Sequence, residues 1–369
     1  MLVTLLVFIF ILGLLVFVHE LGHFVAARKN GVKVEEFGFG FPPRIFGVKR
    51  GDTIYSLNWI PLGGFVKIKG EAGEHKEDED SFAHKKIWRR AVILASGVLM
   101  NFVLAAVILS VGFMIGLPQV VDGEDGHAMV RDAKVQIIQV LEGTPAADAE
   151  LMAGDIILSI DGQKIEQVTQ MQDYVASKTD VPVKMAFERD GNQFEKEITP
   201  TFLTETGRGG IGVGLLKSGI VSYRWYLAIW KGVENTAFFT KEVVVAFYEL
   251  IKNLIVTQKV SVDLSGPVGI AVLTGQVARM GFIYLLQFTA LLSINLAVIN
   301  FLPFPALDGG RILFLVIEKI RRRPVSQKIE NTVHNIGFAL LMILVILVTY
   351  RDVIKFGDKF SGLWDKIIK

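Results

Sequence analysis

Three side chains that can bind a metal or move a proton lie close together near the start of the sequence. His19, Glu20 and His23 form the pattern H-E-x-x-H. On a helix, residues i and i+4 lie one above the other on the same face, so both imidazoles can reach one Zn²⁺ ion. Glu20 directly follows the first histidine and can take a proton from water that the metal activates. The pattern therefore predicts hydrolytic chemistry at a zinc site.

Two histidines leave a catalytic zinc site incomplete, because such sites usually combine three protein ligands with one position for water. The sequence has no cysteine, so the third ligand has to be a histidine or a carboxylate. Asp308 is the preferred candidate, because Pro303 and Pro305 interrupt an apolar run just before it. The alternatives are the remaining histidines, which we expect to be surface or structural residues: His75, His84, His127 and His334.

The segment that carries Asp308, residues 300–311, reads NFLPFPALDGGR. Irregular backbone at membrane depth is tolerated only where it is buried in protein or lines a wet cavity. We therefore expect water and substrate to meet here, and Asn300, Pro303 and Pro305 are candidate substrate-binding residues. The simpler alternatives are a helix kink at the prolines and a hydrogen bond from Asn300 to the carbonyls that they free.

The elements that must position these residues are long apolar segments. Hydrophobic residues make up 51% of the 369 residues. This hydrophobic content, concentrated in long uncharged runs, excludes a disordered chain, a coiled coil and an ordinary soluble enzyme. The 39 Lys and Arg nearly balance the 37 Asp and Glu, so nucleic acid is not an expected partner. Four runs are each long enough for the roughly 20 residues that cross a bilayer: residues 1–19, 91–117, 280–307 and 331–350.

Basic residues in the connecting segments predict the orientation of the four spans. Residues 28–90 carry 13 Lys and Arg, and residues 311–328 carry six. Because basic loops stay in the cytoplasm, both termini and the segment between spans two and three are predicted to lie outside. Spans one and three then run in the same direction, which brings His19 and Asp308 to a similar depth near the cytoplasmic side.

A soluble unit is predicted between spans two and three. Strand-like residues 134–141 and 156–160, a helix over 167–177 and a hairpin over 181–199 indicate a small α/β fold. Its middle, residues 143–162, resembles the core of a PDZ domain, a fold that binds extended peptides by adding a strand to its sheet. A folded spacer without a ligand is the alternative.

Two further segments differ from both the spans and the soluble unit. Residues 36–70 combine glycine and proline with β-branched and aromatic residues, which predicts a β-hairpin lying against the membrane domain. Residues 223–259 are rich in aromatic side chains, but charged residues interrupt them every few positions. They predict either an amphipathic helix at the membrane interface or a surface helix on the soluble unit.

These motifs resemble those of the site-2 protease family of intramembrane zinc metalloproteases, in its bacterial RseP-like group. His19, Glu20 and His23 match one family motif, and GPVGI at residues 266–270 resembles another. With the hairpin and the PDZ-like unit, the resemblance covers nearly the whole chain, although this sequence has one PDZ-like unit where the enterobacterial members have two. The remaining matched residues lie around span three: Asn300, Pro303, Pro305, Leu307, Asp308 and Gly309.

The resemblance implies a polytopic α-helical membrane protein with four transmembrane helices, a membrane-associated β-hairpin and an inserted α/β PDZ-like domain. It implies cleavage of single-span membrane proteins, such as anti-sigma factors or signal-peptide remnants, within the bilayer of the bacterial inner membrane. His19, His23 and Asp308 would be the ligands of one Zn²⁺ ion, and Glu20 the catalytic base of a zinc metalloendopeptidase. We expect a monomer whose PDZ-like domain is extracytoplasmic.

These assignments give an expected order of segments along the chain. The transmembrane helices are expected over residues 1–27, 91–117, 266–310 and 331–350. The other segments are a cytoplasmic loop with the hairpin (28–90), the PDZ-like domain (118–215), an interfacial amphipathic helical region (216–265), a cytoplasmic helix or loop (311–330) and an extracytoplasmic tail (351–369).

Two other functions fit parts of the sequence. A non-catalytic membrane-anchored PDZ scaffold explains the soluble unit, but it gives no role to the four polar residues at membrane depth. A metal transporter also places histidines and carboxylates in its spans, but spans two and four carry almost none. Zinc content separates the three functions, because a scaffold needs no zinc, a protease holds about one ion tightly, and a transporter exchanges its ions readily.

Overall fold

The computed structural model describes residues 2–121, 126–189, 191–203, 207–257 and 265–367. Its contacts divide the chain into two compact units. Unit 1 combines Met1–Val111 with Ile229–Lys369, and unit 2 is Gly112–Ala228. Helices and strands are numbered in chain order through both units.

Long helices dominate the chain outside unit 2. Among the described residues, four helices are long and apolar enough to cross a membrane, which confirms the prediction of four candidate spans: Val3–Lys29, Ile87–Ile115, Phe282–Phe301 and Gln327–Lys355. In the described part of the chain, the long helices are α1 (Leu2–Lys29), α2 (Ile87–Ile115), α5 (Trp225–Thr257), α6 (Pro267–Met280), α7 (Phe282–Phe301), α8 (Asp308–Arg321) and α9 (Gln327–Ile367).

The third apolar segment is not the single helix expected over residues 266–310. α6 and α7 are separated by Gly281, whose φ of 124° is a conformation that other residues rarely adopt. α7 then ends at Phe301, because Pro303 and Pro305 lack the N–H groups that a continuing helix needs. Residues 302–307 are non-helical, and α8 begins at Asp308.

The two other helical predictions are also adjusted at their ends. α9 continues to Ile367, through the tail predicted over 351–369, and no proline follows Pro324 to stop it. The region predicted to be helical over 216–265 begins as a strand, because strand β11 (Val213–Ser222) continues to Ser222. Its helical part is α5, and residues 258–264 lie outside the described residues.

The predicted hairpin is present, but it is folded over on itself. Strands β1 (Val34–Arg50) and β2 (Thr53–Ile68) pair in antiparallel fashion. Phe37 pairs with Val66 on one side and with Tyr55 on the other, so the first part of β1 lies between the two ends of β2. The result is a small sheet of four segments, in the order 44–50, 53–58, 36–39 and 64–68.

The folded hairpin packs on α1. The ring of Phe37 lies 4.8 Å from the Phe24 ring and 5.4 Å from the Phe17 ring, centroid to centroid. Other large apolar side chains of the hairpin are exposed, with Phe46 63% and Trp59 68% exposed. Exposed aromatic groups of this kind mark a surface that is covered by another apolar phase or partner.

Unit 2 is β-rich, whereas the sequence predicts an α/β unit. Its main sheet has the order β3-β11-β4-β5-β7-β8, with β6 paired to β5, and β9 pairs separately with β10. The two helices are short: α3 (Pro145–Asp148) and α4 (Val168–Ser177). The strands are β3 (Leu117–Val120), β4 (Met129–Val140), β5 (Ile156–Ile160), β6 (Gln163–Lys164), β7 (Val183–Arg189), β8 (Asn192–Ile198), β9 (Thr201–Leu203), β10 (Arg208–Gly210) and β11 (Val213–Ser222).

The predicted elements of unit 2 occur close to their expected positions. β5 covers Ile156–Ile160 as predicted, and α4 begins one residue after Gln167. The predicted turn between β7 and β8 includes residue 190, which lies outside the described residues. The two faces of the sheet differ because alternate apolar residues are buried, among them Val183, Met185 and Phe187 on β7.

Candidate metal centre

His19 and His23 lie one helical turn apart on α1, and both side chains are buried. Asp308, the first residue of α8, reaches them from a segment 285 residues after His23 in the sequence. Its Oδ2 lies 3.0 Å from Nε2 of His19 and 3.3 Å from Nε2 of His23, and the two Nε2 atoms are 3.2 Å apart. These three atoms therefore form a nearly equilateral triangle.

The triangle has the dimensions of a zinc site. Nitrogen and oxygen ligands about 2.0–2.1 Å from a tetrahedral zinc ion lie roughly 3.3 Å apart, which matches the three distances. Oδ2 of Asp308 is also buried without a hydrogen-bond partner among the described residues. Within the described residues, His19, His23 and Asp308 are the cluster of metal-binding side chains that could hold an ion.

The ring of His23 is oriented by the backbone of α2. Its Nδ1 lies 2.9 Å from the carbonyl oxygen of Ile93, which can only accept a hydrogen bond, so Nδ1 carries the proton. Nε2 of the neutral ring then has a free lone pair that faces Asp308 and His19. A hydrogen bond of this kind fixes the tautomer that a metal ligand needs.

The ring of His19 has a different neighbour on α2. Nδ1 of His19 lies 3.4 Å from the amide nitrogen Nδ2 of Asn101, a residue with no exposed surface. The amide oxygen of Asn101 has no partner within the described part of the chain. Ser293 on α7 donates a hydrogen bond to the Asn101 backbone carbonyl at 2.8 Å, so this contact joins three helices.

Two glycines allow α1 and α2 to approach this closely. A Cβ atom on Gly97 would overlap the imidazole of His23, and one on Gly22 would overlap the carbonyl oxygen of Ser96. Any larger residue at either position would therefore push the two helices apart or turn the His23 ring. The sequence pattern H-E-x-x-H does not indicate these contacts, because Gly97 and Ser96 belong to a second helix, α2.

Glu20 lies on the side of α1 that faces the folded hairpin. An ideal Cβ on Gly64 of β2 would lie 3.8 Å from its Cγ atom, and the Val66 backbone lies within hydrogen-bonding reach of its carboxylate. Glu20 is only partly buried, in contrast to the two histidines. The last segment of β2 therefore runs directly beside the carboxylate that follows the first histidine.

Asp308 is presented by the break between α7 and α8. Ala306 has a φ of 79°, which is unusual for a residue other than glycine. Cβ atoms on Gly309 or Gly310 would overlap carbonyl oxygens of residues 301–304, so glycine is needed for α8 to fold back on the break. Leu307 caps α8, and its carbonyl accepts the Gly310 N–H at 3.1 Å.

The other candidate site residues from the sequence are not part of this triangle. Asn300 is the penultimate residue of α7 and is partly buried, Pro303 is exposed, and Pro305 is partly buried. Their proposed contact with substrate stays a prediction. Among the alternative histidines, His75 pairs with Asp78 and His84 contacts the Lys76 carbonyl.

The last two histidines have different positions. His127 belongs to unit 2. His334 lies on α9, where its Nδ1 accepts the Ala306 N–H at 2.9 Å. None of the four alternative histidines belongs to the group that could hold a metal among the described residues.

Known proteins match most of this chain. The sequence profile described as Peptidase family M50 matches residues 7–344. Zinc metalloprotease RasP from Geobacillus kaustophilus is 32% identical, over 95% of this chain and 97% of its own length. Regulator of sigma-W protease RasP from Bacillus subtilis is 32% identical, over 95% of this chain and 98% of its own length.

Solved structures match a shorter part. The PDZ domain of an SdrC-like protein from Listeria monocytogenes is 33% identical and covers 22% of this chain and 85% of that domain's chain, with a TM-score of 0.21. A second PDZ domain, from Listeria innocua, is 34% identical with coverages of 22% and 92% and the same TM-score.

Proposed function

The chain belongs to peptidase family M50, and from that membership we propose that it is an intramembrane zinc metalloprotease of the site-2 type. Its substrates would be the transmembrane segments of single-span membrane proteins. The observation that carries this proposal is the meeting of His19, His23 and Asp308 from two separate apolar segments. Polar groups placed at membrane depth are costly and are usually functional.

His19, His23 and Asp308 would hold the zinc ion through Nε2, Nε2 and Oδ2. When bound, zinc supplies Lewis acidity, which activates water and polarises a carbonyl group. Glu20 accepts the proton of the attacking water and delivers it to the amine that leaves. The Ile93 carbonyl keeps Nδ1 of His23 protonated, so that Nε2 stays available as a ligand.

A transmembrane helix has to unwind before its peptide bonds can be attacked, because its amide groups are hydrogen-bonded within the helix. We propose that the unwound segment pairs with the last part of β2, residues 64–68. This segment pairs with β1 on one side only and runs beside Glu20 on α1. An open strand edge of this kind accepts an extended peptide through main-chain hydrogen bonds.

The wider arrangement in the membrane follows from the same proposal. The four apolar helices would cross the bacterial plasma membrane, with the basic segments 28–90 and 311–328 in the cytoplasm. Unit 2 would then be extracytoplasmic and act as a PDZ-like domain that binds substrate or excludes bulky proteins. The exposed aromatic side chains of the hairpin would lie in the membrane interface. Anti-sigma factors and signal-peptide remnants are the proposed substrate types.

Cleavage of a single-span reporter by the purified protein in detergent tests the proposal. We expect the wild type to cut a reporter whose outer domain has been removed, and Glu20→Gln to cut it about 10²–10⁴ times more slowly. Both proteins should contain about one zinc ion, because Glu20 is not one of the three proposed ligands. Glu77→Gln, in an exposed loop, is the matched control and should behave as the wild type.

The outcomes separate the competing functions. Absence of zinc from both proteins, under conditions that retain metals, would support the membrane-anchored PDZ scaffold instead. Tightly bound zinc with equal cleavage by both proteins would remove Glu20 from the mechanism. Rapidly exchanging zinc without cleavage would favour transport.

A proline in β2 tests the strand-pairing step separately. Val66→Pro removes one N–H from the edge beside Glu20, and we expect slower cleavage at every pH with unchanged zinc content. Because the Val66 backbone is also within hydrogen-bonding reach of Glu20, a shifted pH profile of cleavage would assign the loss to Glu20 and not to strand pairing. Lys49→Pro, in the segment at the opposite edge of the folded hairpin, is the control. Equal cleavage by the two variants would contradict strand pairing at residues 64–68.

A further inference from the structure

The His334 side chain of α9 reaches the non-helical segment before Asp308. Most side chains of α9 between residues 327 and 350 are exposed. His334 is partly buried, and Gly337, three residues later on the same helix face, is buried. A Cβ on Gly337 would overlap the Pro305 backbone, so this face of α9 lies directly on the 302–307 segment.

The His334 contact satisfies a backbone group that has no helical partner. Ala306 lies between two helices, and its N–H is donated to Nδ1 of His334 at 2.9 Å. Ala306 also has the unusual φ of 79°. Such a conformation persists only where surrounding contacts hold it, and here the hydrogen bond to His334 and the Gly337–Pro305 contact do so.

His334 is not itself a suitable metal ligand in this arrangement. Because Nδ1 accepts a hydrogen bond, the neutral ring carries its proton on Nε2. That Nε2 atom is buried without a hydrogen-bond partner among the described residues, and the ring lies 5.5 Å from the Phe314 ring. The side chain is therefore committed to the backbone of the break.

We propose that His334 is a positioning residue for Asp308. Its bond to the Ala306 N–H fixes the backbone two residues before Asp308, and so keeps Oδ2 within reach of His19 and His23. The proposal rests on the proposed zinc site and adds to it a residue from a fourth apolar segment. Without this bond, the break relaxes and the carboxylate is no longer held at the two imidazoles.

Zinc affinity of the purified full-length protein, measured by competition with a chromogenic chelator, tests this role without depending on cleavage. His334→Leu removes the acceptor while keeping a side chain of similar bulk, and we expect zinc affinity to fall by about 10–100-fold. His334→Asn keeps an acceptor at the position of Nδ1, and its affinity should stay close to that of the wild type. Asn335→Leu makes a similar change at an exposed neighbour on α9 and should have no effect.

The pattern of results separates the possible failures. If the wild type does not bind zinc, the proposed function itself fails. Wild-type affinity in His334→Leu overturns the positioning role alone. Equal losses in His334→Leu and His334→Asn also overturn it, because they would assign His334 to general packing of α9. Zinc affinity that is close to the wild type in His334→Asn but reduced in His334→Leu supports the proposal, even where the Leu variant unfolds at a lower temperature.

Discussion

Helix α1 and the 302–308 segment supply the same candidate centre, but they hold their side chains in different ways. His19 and His23 stand on an uninterrupted helix, so their spacing follows from local geometry. Asp308 follows a break whose conformation depends on contacts with α9 and on two glycines in α8. The α1 half should therefore be sensitive only to the α2 residues that touch its two rings, whereas the Asp308 half should be sensitive to changes farther from the metal.

The largest expected effect comes from removing a ligand in either half. His23→Ala and Asp308→Ala each leave two protein ligands, which is fewer than a catalytic zinc site normally has. We expect both variants to lose tightly bound zinc and all cleavage of the reporter. Metal analysis of the purified proteins gives the measurement. Retention of zinc by Asp308→Ala would mean that the break does not contribute to the centre.

The next effect concerns the contact that α1 makes with α2. Gly97→Ala places a methyl group against the His23 ring, and such overpacking typically costs about 1–3 kcal/mol of stability. We expect a lower unfolding temperature and weaker zinc binding. Gly13→Ala is the matched control on α1, because its Cβ would make only ordinary contacts of 3.5 Å or more. Equal unfolding temperatures and zinc affinities of the two variants would show that the geometry of α1 alone is sufficient to position His23.

A smaller effect is expected for the neighbour of His19. A neutral His19 ring that binds zinc through Nε2 carries its proton on Nδ1 and needs an acceptor there. The amide nitrogen of Asn101 faces Nδ1, and its oxygen, which has no partner among the described residues, reaches Nδ1 when the amide is turned by 180°. Asn101→Asp keeps an acceptor at this place, and Asn101→Leu removes it. Zinc affinity should fall by roughly 10–100-fold in the Leu variant and should be retained in the Asp variant. Loss of affinity in the Asp variant alone would mean that the amide nitrogen still faces His19 when zinc is bound.

The smallest effect on zinc binding is expected from a substitution of Asp161 in unit 2. The Lys184 N–H and the Tyr174 hydroxyl both donate to Asp161 and lower the pKa of its carboxyl below the usual value. A lowered pKa in the folded state gives stability that is present above the ordinary carboxyl pKa and is lost as the pH falls.

Hydrogen exchange measures how well the backbone amides around Lys184 are protected from solvent. In Asp161→Asn, this protection should therefore fall less between about pH 5 and pH 3 than it does in the wild type. The substitution should leave zinc binding unchanged. A change in zinc affinity at neutral pH would show that unit 2 acts on the metal centre, which would break the contrast between local and distant support.

The sequence predicts the α1 half of the site more completely than the Asp308 half. The i and i+4 spacing of His19 and His23 is visible in five letters, because a helix places them without help from other segments. Asp308 could be selected only through the prolines before it and the expected depth of the spans. His334 could not be assigned its role, because its partner is the backbone of a residue 28 positions earlier.

The same distinction applies to the fold. Long apolar runs predict the four candidate spans, a short apolar run predicts β5, and two strand-like runs on either side of a turn predict the β7–β8 pair. The folded-over pairing of the hairpin depends on bulges and on packing against α1, and neither is visible in its sequence. The approach of α2 to α1 depends on Gly22 and Gly97, which look like ordinary apolar positions until the two helices are brought together.

X-ray absorption at the zinc K edge of the purified wild-type protein tests the central claim most directly. It reports how many imidazole rings surround the metal and whether the other ligands are oxygen atoms. The two-segment centre predicts four light ligand atoms with the outer-shell signal of two imidazoles, from His19 and His23. Three or more imidazoles would contradict Asp308 as a ligand and would bring another histidine into the site.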